Sequence, residues 1–240
     1  MFTYHSSINP TQDCASFLFS LLQSQQSHPT LLLWSGGSVA EVAKLLIEKH
    51  HQFSNLSWLT MSLVDERYGQ PHHQDSNEVL LQSTDIIDQL IEKGGKWEPF
   101  LTGLSLKNET NRLDQLFTKY FKTHTIIGIF GVGEDGHTAG VLPIFDNRND
   151  FDQLFNSDQD IVDYDLDQLH NTYPNQFKQR ITLSISGINR LNQRIVFAQG
   201  EKKREVLQKL KANQQELSHF PAQIFNQTES ELFTDQIITK

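Results

Sequence analysis

Asp135 and His137 lie two residues apart in the stretch Gly131-Val132-Gly133-Glu134-Asp135-Gly136-His137-Thr138-Ala139-Gly140-Val141-Leu142-Pro143, directly after the apolar run from His124 to Phe130. An imidazole titrates near neutrality and can take a proton from water, and a neighbouring carboxylate can orient it or tune its pKa. An apolar run entering a glycine-rich turn is how an α/β enzyme displays such a base. The same glycines permit a second reading, because Gly131, Gly133 and Gly136 satisfy the G-x-G-x-x-G dinucleotide pattern. That pattern needs an uncluttered helix N-terminus for the pyrophosphate and, about twenty residues on, a strand ending in an acid. Here Glu134 and Asp135 set two carboxylates where the phosphates would lie, and the acidic stretch Asp146 to Asp152 contains no clear strand. The loop therefore reads as one that moves protons.

Three further clusters carry chemistry-bearing groups. Ser35-Gly36-Gly37-Ser38 joins an apolar run to a helical pattern. Glycines there let the backbone approach an anion, which free N–H groups and the positive end of the helix dipole would hold, with Ser38 as a further donor. A plain turn capped by serine fits the same residues. The Walker pattern is absent, so no nucleoside triphosphate site is indicated. Asp65-Glu66-Arg67 sets three charges after a second apolar run, and Asp75-Ser76-Asn77 precedes the next helical pattern. Solvated turn residues and a helix N-cap would account for both. Arg180 and Lys203 are each ordinary surface cations when taken singly. Together with the serine–glycine loop they are candidates to clamp a phosphate, arginine as a planar fork and lysine as a point charge.

The elements that must position these groups alternate between strand-length apolar runs and stretches of helical period, the pattern of crossover units around a mostly parallel sheet. Strands are expected at Leu31 to Trp34, Trp58 to Val64, His124 to Phe130, Arg180 to Ile185 and Arg194 to Gln199. Helices are expected at Val39 to His50, Glu78 to Lys93, Asn108 to Lys122 and Glu201 to Ala212, and Cys14 is expected as a small core residue of the first helix. The polar clusters fall at the carboxyl ends of four of the strands. Ligands of open parallel sheets bind in the crevice at those ends, so one shared pocket is predicted. The acidic, Asn- and Gln-rich stretch Asp146 to Gln179 reads as a surface excursion, with a lid as the other reading.

Bulk properties narrow the function. A chain of 240 residues suits one α/β domain, residues 1–240, better than two. The net charge of −9 argues against nucleic acid or an anionic membrane as partner. The single Cys14 excludes an internal disulfide framework and a multi-cysteine metal site. The opening residues Met1 to Ser7 lack a signal-peptide pattern, and no run approaches the ~18 apolar residues of a membrane span, so a soluble, cytoplasmic protein is expected. A monomer and a homodimer are both compatible with these residues.

In combination, the motifs resemble the 6-phosphogluconolactonase family, relatives of glucosamine-6-phosphate deaminase, from about Leu31 to Phe225. The family's Ser-Gly-Gly-Ser loop is matched at Ser35 to Ser38, although its following Thr-Pro is Val39-Ala40 here. Its Asp-Glu-Arg with a closing Ser-Asn is matched by Asp65-Glu66-Arg67 and Ser76-Asn77. Its Gly-x-Gly-x-Asp-Gly-His-Thr-Ala-Ser-Leu-Phe-Pro is matched from Gly131 to Pro143, departing at Gly140, Val141 and Leu142. Arg180-Ile181-Thr182, Gly200 to Lys203 and Pro221-Ala222-Gln223 match later motifs, while the proline-rich lead-in before Arg180 is missing.

The resemblance implies a Rossmann-like three-layer α/β/α fold with a mostly parallel sheet, of the glucosamine-6-phosphate deaminase/ribose-5-phosphate isomerase type. It implies hydrolysis of a small-molecule sugar-phosphate lactone, 6-phospho-D-glucono-1,5-lactone, in the oxidative pentose phosphate pathway, with no cofactor and no metal. His137 would be the base, supported by Asp135, with Arg67 near the substrate oxygens and Asp65 in the same catalytic group. Gly36, Gly37, Ser38, Arg180 and Lys203 would hold the phosphate, and Asn77 and Gly133 would complete the pocket. Two alternatives stand beside this. The deaminases resemble Asp-Gly-His-Ile-Ala-Phe-Asn-Glu-Pro, with a glutamate before the proline where this chain has Leu142, and they follow Asp-Glu with Tyr where it has Arg67. The other is a non-catalytic sugar-phosphate-binding paralogue, which the departures at Val39-Ala40 and before Arg180 leave open; a regulator's sensor domain would carry a preceding DNA-binding segment, for which a first buried strand at about residue 31 leaves no room.

Overall fold

The computed structural model describes residues 2–49, 52–144, 148–169 and 177–238. In chain order its elements are β1 (Phe2–Ser6), α1 (Pro10–Ser24), β2 (Thr30–Trp34), α2 (Val39–Lys49), β3 (Leu59–Leu63), β4 (Asp65–Arg67), α3 (Asn77–Gln82), α4 (Ile86–Glu92) and β5 (Lys96–Trp97). There follow α5 (Leu106–Thr123), β6 (Thr125–Gly131), α6 (Arg148–Phe155), β7 (Ile161–Asp165), β8 (Gln179–Leu183), α7 (Ile185–Asn189), β9 (Gln193–Phe197), α8 (Arg204–Ala212), α9 (Ile224–Gln227) and β10 (Ser230–Thr234).

Seven strands form a wholly parallel sheet in the order β1-β10-β9-β6-β2-β3-β5, the central layer of an α/β/α sandwich. Every residue of β2 and β3 is buried, as strands covered on both faces require, which is why their sequences are continuous apolar runs. The helices turn one stripe inward, as α1 does with Cys14, Ala15, Leu18, Phe19 and Leu22. Burial pushes the Cys14 thiol far up. From β2 the chain winds outward through β3 and β5, then crosses back to β6 and continues through β9 and β10. The neighbours β2 and β6 thus flank the point where strand order reverses, the place at which such sheets open a crevice. Register sets Trp34 opposite Ile129, and Gly131 opposite Phe197, so β2, β6 and β9 end nearly flush and their following loops lie side by side.

A second, antiparallel sheet, β4-β8-β7, is where the structure departs from expectation. Arg180 to Ile185 is not a strand of the parallel sheet: β8 pairs with β4 and β7 instead. Asp65-Glu66-Arg67 is no loose turn, because Val64 donates its amide to Trp34 O (2.9 Å) and accepts from Leu183 N (2.9 Å), handing the chain from one sheet to the other. The first buried strand is β2, as expected near residue 31; it is preceded by β1, none of whose residues is buried, and by α1. Glu78 to Lys93 is two helices, broken at Asp85, whose φ of +63° no α-helix accommodates. Glu201 to Ala212 begins with a 3-10 turn over Glu201–Lys203, so Lys203 stands at the entry to α8. Within the supposed excursion Asp146 to Gln179, α6 and β7 are integral elements, while residues 145–147 and 170–176, including Asp146, lie outside the described residues. No helix among the described residues is long and apolar enough to cross a membrane.

Candidate active site

A cleft of about 420 Å³ opens where the loops after β2, β6 and β9 meet the face of the antiparallel sheet. The residues that the family resemblance assigns to the site all line it: Gly36, Gly37 and Ser38 after β2, Asp65 and Arg67 on β4, Asn77 at the start of α3, Gly133, Asp135 and His137 after β6, Arg180 on β8, and Lys203 before α8.

The loop after β6 holds an imidazole–carboxylate pair in one orientation. His137 Nδ1 lies 2.6 Å from Asp135 Oδ1, and the same oxygen accepts the His137 amide at 3.1 Å. With the Nδ1 proton shared with a carboxylate, the neutral ring keeps its lone pair on Nε2. Burial pushes the Asp135 carboxyl upward, but hydrogen bonds and charge from His137 outweigh it and hold Asp135 below the usual carboxylate range. Gly133 is required by close approach, since a β-carbon there would lie 2.1 Å from His137 Nδ1. The loop closes on itself through Gly133 N to His137 O (2.8 Å) and Gly136 N to Gly133 O (3.0 Å). No helix opens at Gly136; the next one is α6, beyond Pro143, so the helix N-terminus that a dinucleotide fingerprint needs is missing.

The loop after β2 leads into the eleven-residue α2. Among the described residues no hydrogen bond is made by the amides of Gly36, Gly37 and Ser38, which lie at the positive end of α2, an arrangement that could hold an anion. Gly36 packs on Asn77, whose Oδ1 would sit 2.1 Å from a β-carbon. Asn77 Nδ2 donates to Asp65 O at 2.9 Å, tying this loop to β4. Beneath them the fully buried Glu66 carboxylate accepts four hydrogen bonds, from Arg67 N, Ser76 Oγ, Asn77 N and Glu78 N. Burial raises its pKa against the pull of these donors. Glu66, which reads from sequence as one charge among three, is thus the internal bracket joining β4 to α3.

Side-chain alternation explains the positive wall of the cleft. Strand period two turns Asp65 and Arg67 to one face of the small sheet, and register adds Arg180 opposite Arg67 and Tyr164 opposite Arg180. Arg67 Nη1 donates to Asp75 O at 2.7 Å. Arg180 is 8% exposed, and among the described residues its buried Nη1 has no hydrogen-bond partner. Burial lowers the Arg180 pKa, and Arg67 adds to the effect, while Tyr164 and Asp65 oppose it. Asp65 is buried too, which raises its pKa despite Arg67, Arg180 and His137 nearby. Across the cleft Lys203 Nζ donates to Val132 O at 2.7 Å.

Residues 11–234 match the family described as glucosamine-6-phosphate isomerases/6-phosphogluconolactonase. The chain belongs to this family. It is 28% identical to a 6-phosphogluconolactonase of Helicobacter pylori over 192 residues, 70% of this chain and 76% of that one. It is 27% identical to a glucosamine-6-phosphate deaminase of Staphylococcus saprophyticus over 204 residues, 80% of this chain and 78% of the other. Among solved structures, a 6-phosphogluconolactonase from Shewanella baltica superposes with a TM-score of 0.72 at 19% identity, covering 98% of this chain and 97% of that one, which is a likeness of fold. Members of the family with either activity are therefore comparably similar in sequence, and the choice between reactions falls to individual side chains.

Two cleft residues escaped sequence reasoning, Tyr164 and Leu166, which line it from β7 and just beyond. The only available signal was the alternation in Ile161-Val162-Asp163-Tyr164-Asp165, obscured by its acidic surroundings. Leu142, with 8% exposure, lies in the cleft wall at the end of the His137 loop.

Proposed function

We propose that this member of the family hydrolyses 6-phospho-D-glucono-1,5-lactone to 6-phospho-D-gluconate, the lactonase step of the oxidative pentose phosphate pathway. The observation that carries the choice is Leu142. Deamination with ring opening asks for a proton-transferring carboxylate beside the imidazole, and a leucine cannot move a proton.

In this reading the substrate phosphate sits on the free amides of Gly36, Gly37 and Ser38, with Arg180 and Lys203 supplying charge; the unpartnered Nη1 of Arg180 gains its missing acceptor there. His137 Nε2 takes a proton from water as the water oxygen attacks the lactone carbonyl carbon. Asp135 holds the Nδ1 proton and stabilises the imidazolium that forms. Negative charge on the carbonyl oxygen develops near Arg67. The tetrahedral adduct collapses by breaking the bond to the ring oxygen, which receives the proton from His137 and leaves as the sugar hydroxyl. A lactone is already an activated ester, so a placed water and charge stabilisation are sufficient chemistry.

The test generates the lactone in situ from glucose 6-phosphate and couples product to 6-phosphogluconate dehydrogenase, with spontaneous hydrolysis as control. The expected result is a wild-type rate well above the control and a His137→Ala rate close to it. A wild-type rate equal to the control removes the lactonase reading and leaves a sugar-phosphate binder; ammonia release from glucosamine 6-phosphate replaces it with the deaminase.

A further inference from the structure

Gly140 is where the loop bearing His137 meets the sheet bearing the two arginines. Its amide donates to Thr182 Oγ1 at 2.9 Å, and its carbonyl accepts from the Tyr164 hydroxyl at 2.5 Å. Thr182 and Tyr164 stand on neighbouring strands and share the face of Arg67 and Arg180, Tyr164 directly opposite Arg180. A β-carbon at position 140 would lie 2.7 Å from Thr182 Cβ, a separation that only glycine permits. The preceding Ala139 holds a φ of +50°, a conformation that a residue with a side chain adopts only when its surroundings impose it. Thr138, on the near side of Ala139, is anchored through Oγ1 to Gly131 O at 2.9 Å. Gly140, Thr182 and Tyr164 are all buried, so water does not compete for these bonds.

We infer that Tyr164 and Thr182 are positioning residues that grip both polar groups of Gly140 and so fix the imidazole of His137 relative to the guanidinium of Arg180. This rests on the lactonase reading, in which Arg180 on the small sheet helps to anchor the phosphate and His137 on the loop after β6 activates water. The phosphate and the scissile carbonyl are parts of one small molecule, so the spacing between the two halves decides whether the activated water meets the carbonyl carbon. Residue 140 spans that gap with two hydrogen bonds of opposite sense, which together resist sliding of the loop along the sheet. Tyr164 acts in this way through Gly140, without accepting or donating a proton in the reaction.

The test is steady-state kinetics of Tyr164→Phe, Thr182→Val and Thr182→Ser, with calorimetric binding of 6-phosphogluconate. Tyr164→Phe keeps the ring and its edge contact with Phe155, whose centroid is 5.1 Å away. It is expected to lower kcat about 10- to 100-fold, the cost of misplacing reacting groups by up to about 1 Å, while KM and product affinity stay within about threefold. Thr182→Val should behave likewise, whereas Thr182→Ser keeps the accepting oxygen and should hold kcat within about threefold of wild type. If either variant folds poorly, the Val/Ser contrast at 182 or the Phe variant at 164 carries the decision. A raised KM at constant kcat would mean that Tyr164 binds substrate and would overturn the positioning role, as would unchanged kinetics in Tyr164→Phe and Thr182→Val. A wild-type rate equal to spontaneous hydrolysis overturns the lactonase reading itself and the positioning role with it.

Discussion

Replacing Arg180 with methionine should make the protein both more stable and worse at binding substrate. Arg180 is buried with Nη1 unpartnered among the described residues, and burial lowers its pKa, so the folded chain bears a desolvation cost that the proposed phosphate would relieve. An unsatisfied buried polar group costs about 1–3 kcal/mol. Methionine fills much of the same length without that group, and Arg67 remains to compensate Asp65. For a chain of this size about 1 kcal/mol shifts Tm by roughly 2–4 °C, so Arg180→Met is expected to melt about 2–12 °C higher. A hydrogen bond from a charged donor to phosphate contributes about 1.5–3 kcal/mol, which at about 1.4 kcal/mol per decade raises KM roughly 10- to 150-fold. Because the proposed mechanism assigns proton transfer to His137, kcat should change little. Melting curves with and without inorganic phosphate, set beside the coupled lactonase assay, check both halves: phosphate stabilises whatever binds it in the folded state. A variant that melts lower than wild type, keeps its KM and still responds to phosphate would refute the assignment of the orphaned guanidinium to the phosphate.

Three other substitutions test separate parts of the cleft. Asp135→Asn lets a carboxamide N–H donate to Nδ1, moving the ring proton to Nε2; kcat should fall about 10²–10³-fold at near-constant KM, the lower part of the range for general-base loss because the pair is 35% and 40% exposed. Asp65 has a raised pKa when folded, so its contribution to stability is full below the ordinary aspartate range and is lost as pH rises through the folded value. Urea denaturation across pH should accordingly show the stability of Asp65→Asn relative to wild type increasing from about pH 4 upward, and a pH-independent difference would contradict the shift. Ser76→Ala removes the cap that accepts from Glu78 N and Val79 N and also deprives Glu66 of a donor. A cost of about 2 kcal/mol, read as a Tm lower by roughly 4–8 °C, is expected in thermal melts.

What could be read from the sequence follows from how each half of the cleft is built. The parallel half was legible because buried central strands must be apolar throughout, and because the tight loops after β2 and β6 need glycine: β2, β3 and β6 and their loops announce themselves. The antiparallel half was not. Nothing in Asp65-Glu66-Arg67 favours a strand, and it becomes one because Val64 is bonded on both sides and β8 lies ready to pair. In β7, Asp163 and Asp165 alternate with Val162 and Tyr164, so a half-buried strand looks like part of an acidic excursion. The partners of β8 are remote in the chain, and no local pattern reveals that its sheet is the small one. Arg67 and Arg180 were therefore visible as cations, while their alignment on one face was not.

That alignment has a physical consequence for how the cleft must be held. Two guanidiniums opposite one another repel, and Asp65, on the same face of β4 as Arg67 with its pKa raised by burial, offsets them only in part. A dianionic phosphate bound as proposed would resolve this tension, which makes the wall suited to a ligand that arrives from outside. The same tension would let the wall relax away from the glycine loops whenever the ligand leaves. The bonds that cross between the halves oppose such relaxation: Asn77 to Asp65, the Glu66 bracket beneath them, and Gly140 between Thr182 and Tyr164. Each is buried and each uses a backbone group of the opposite half, so none can be satisfied unless the two halves are in register. A cleft assembled from two sheets thus keeps its spacing by making separation leave buried polar groups unpaired.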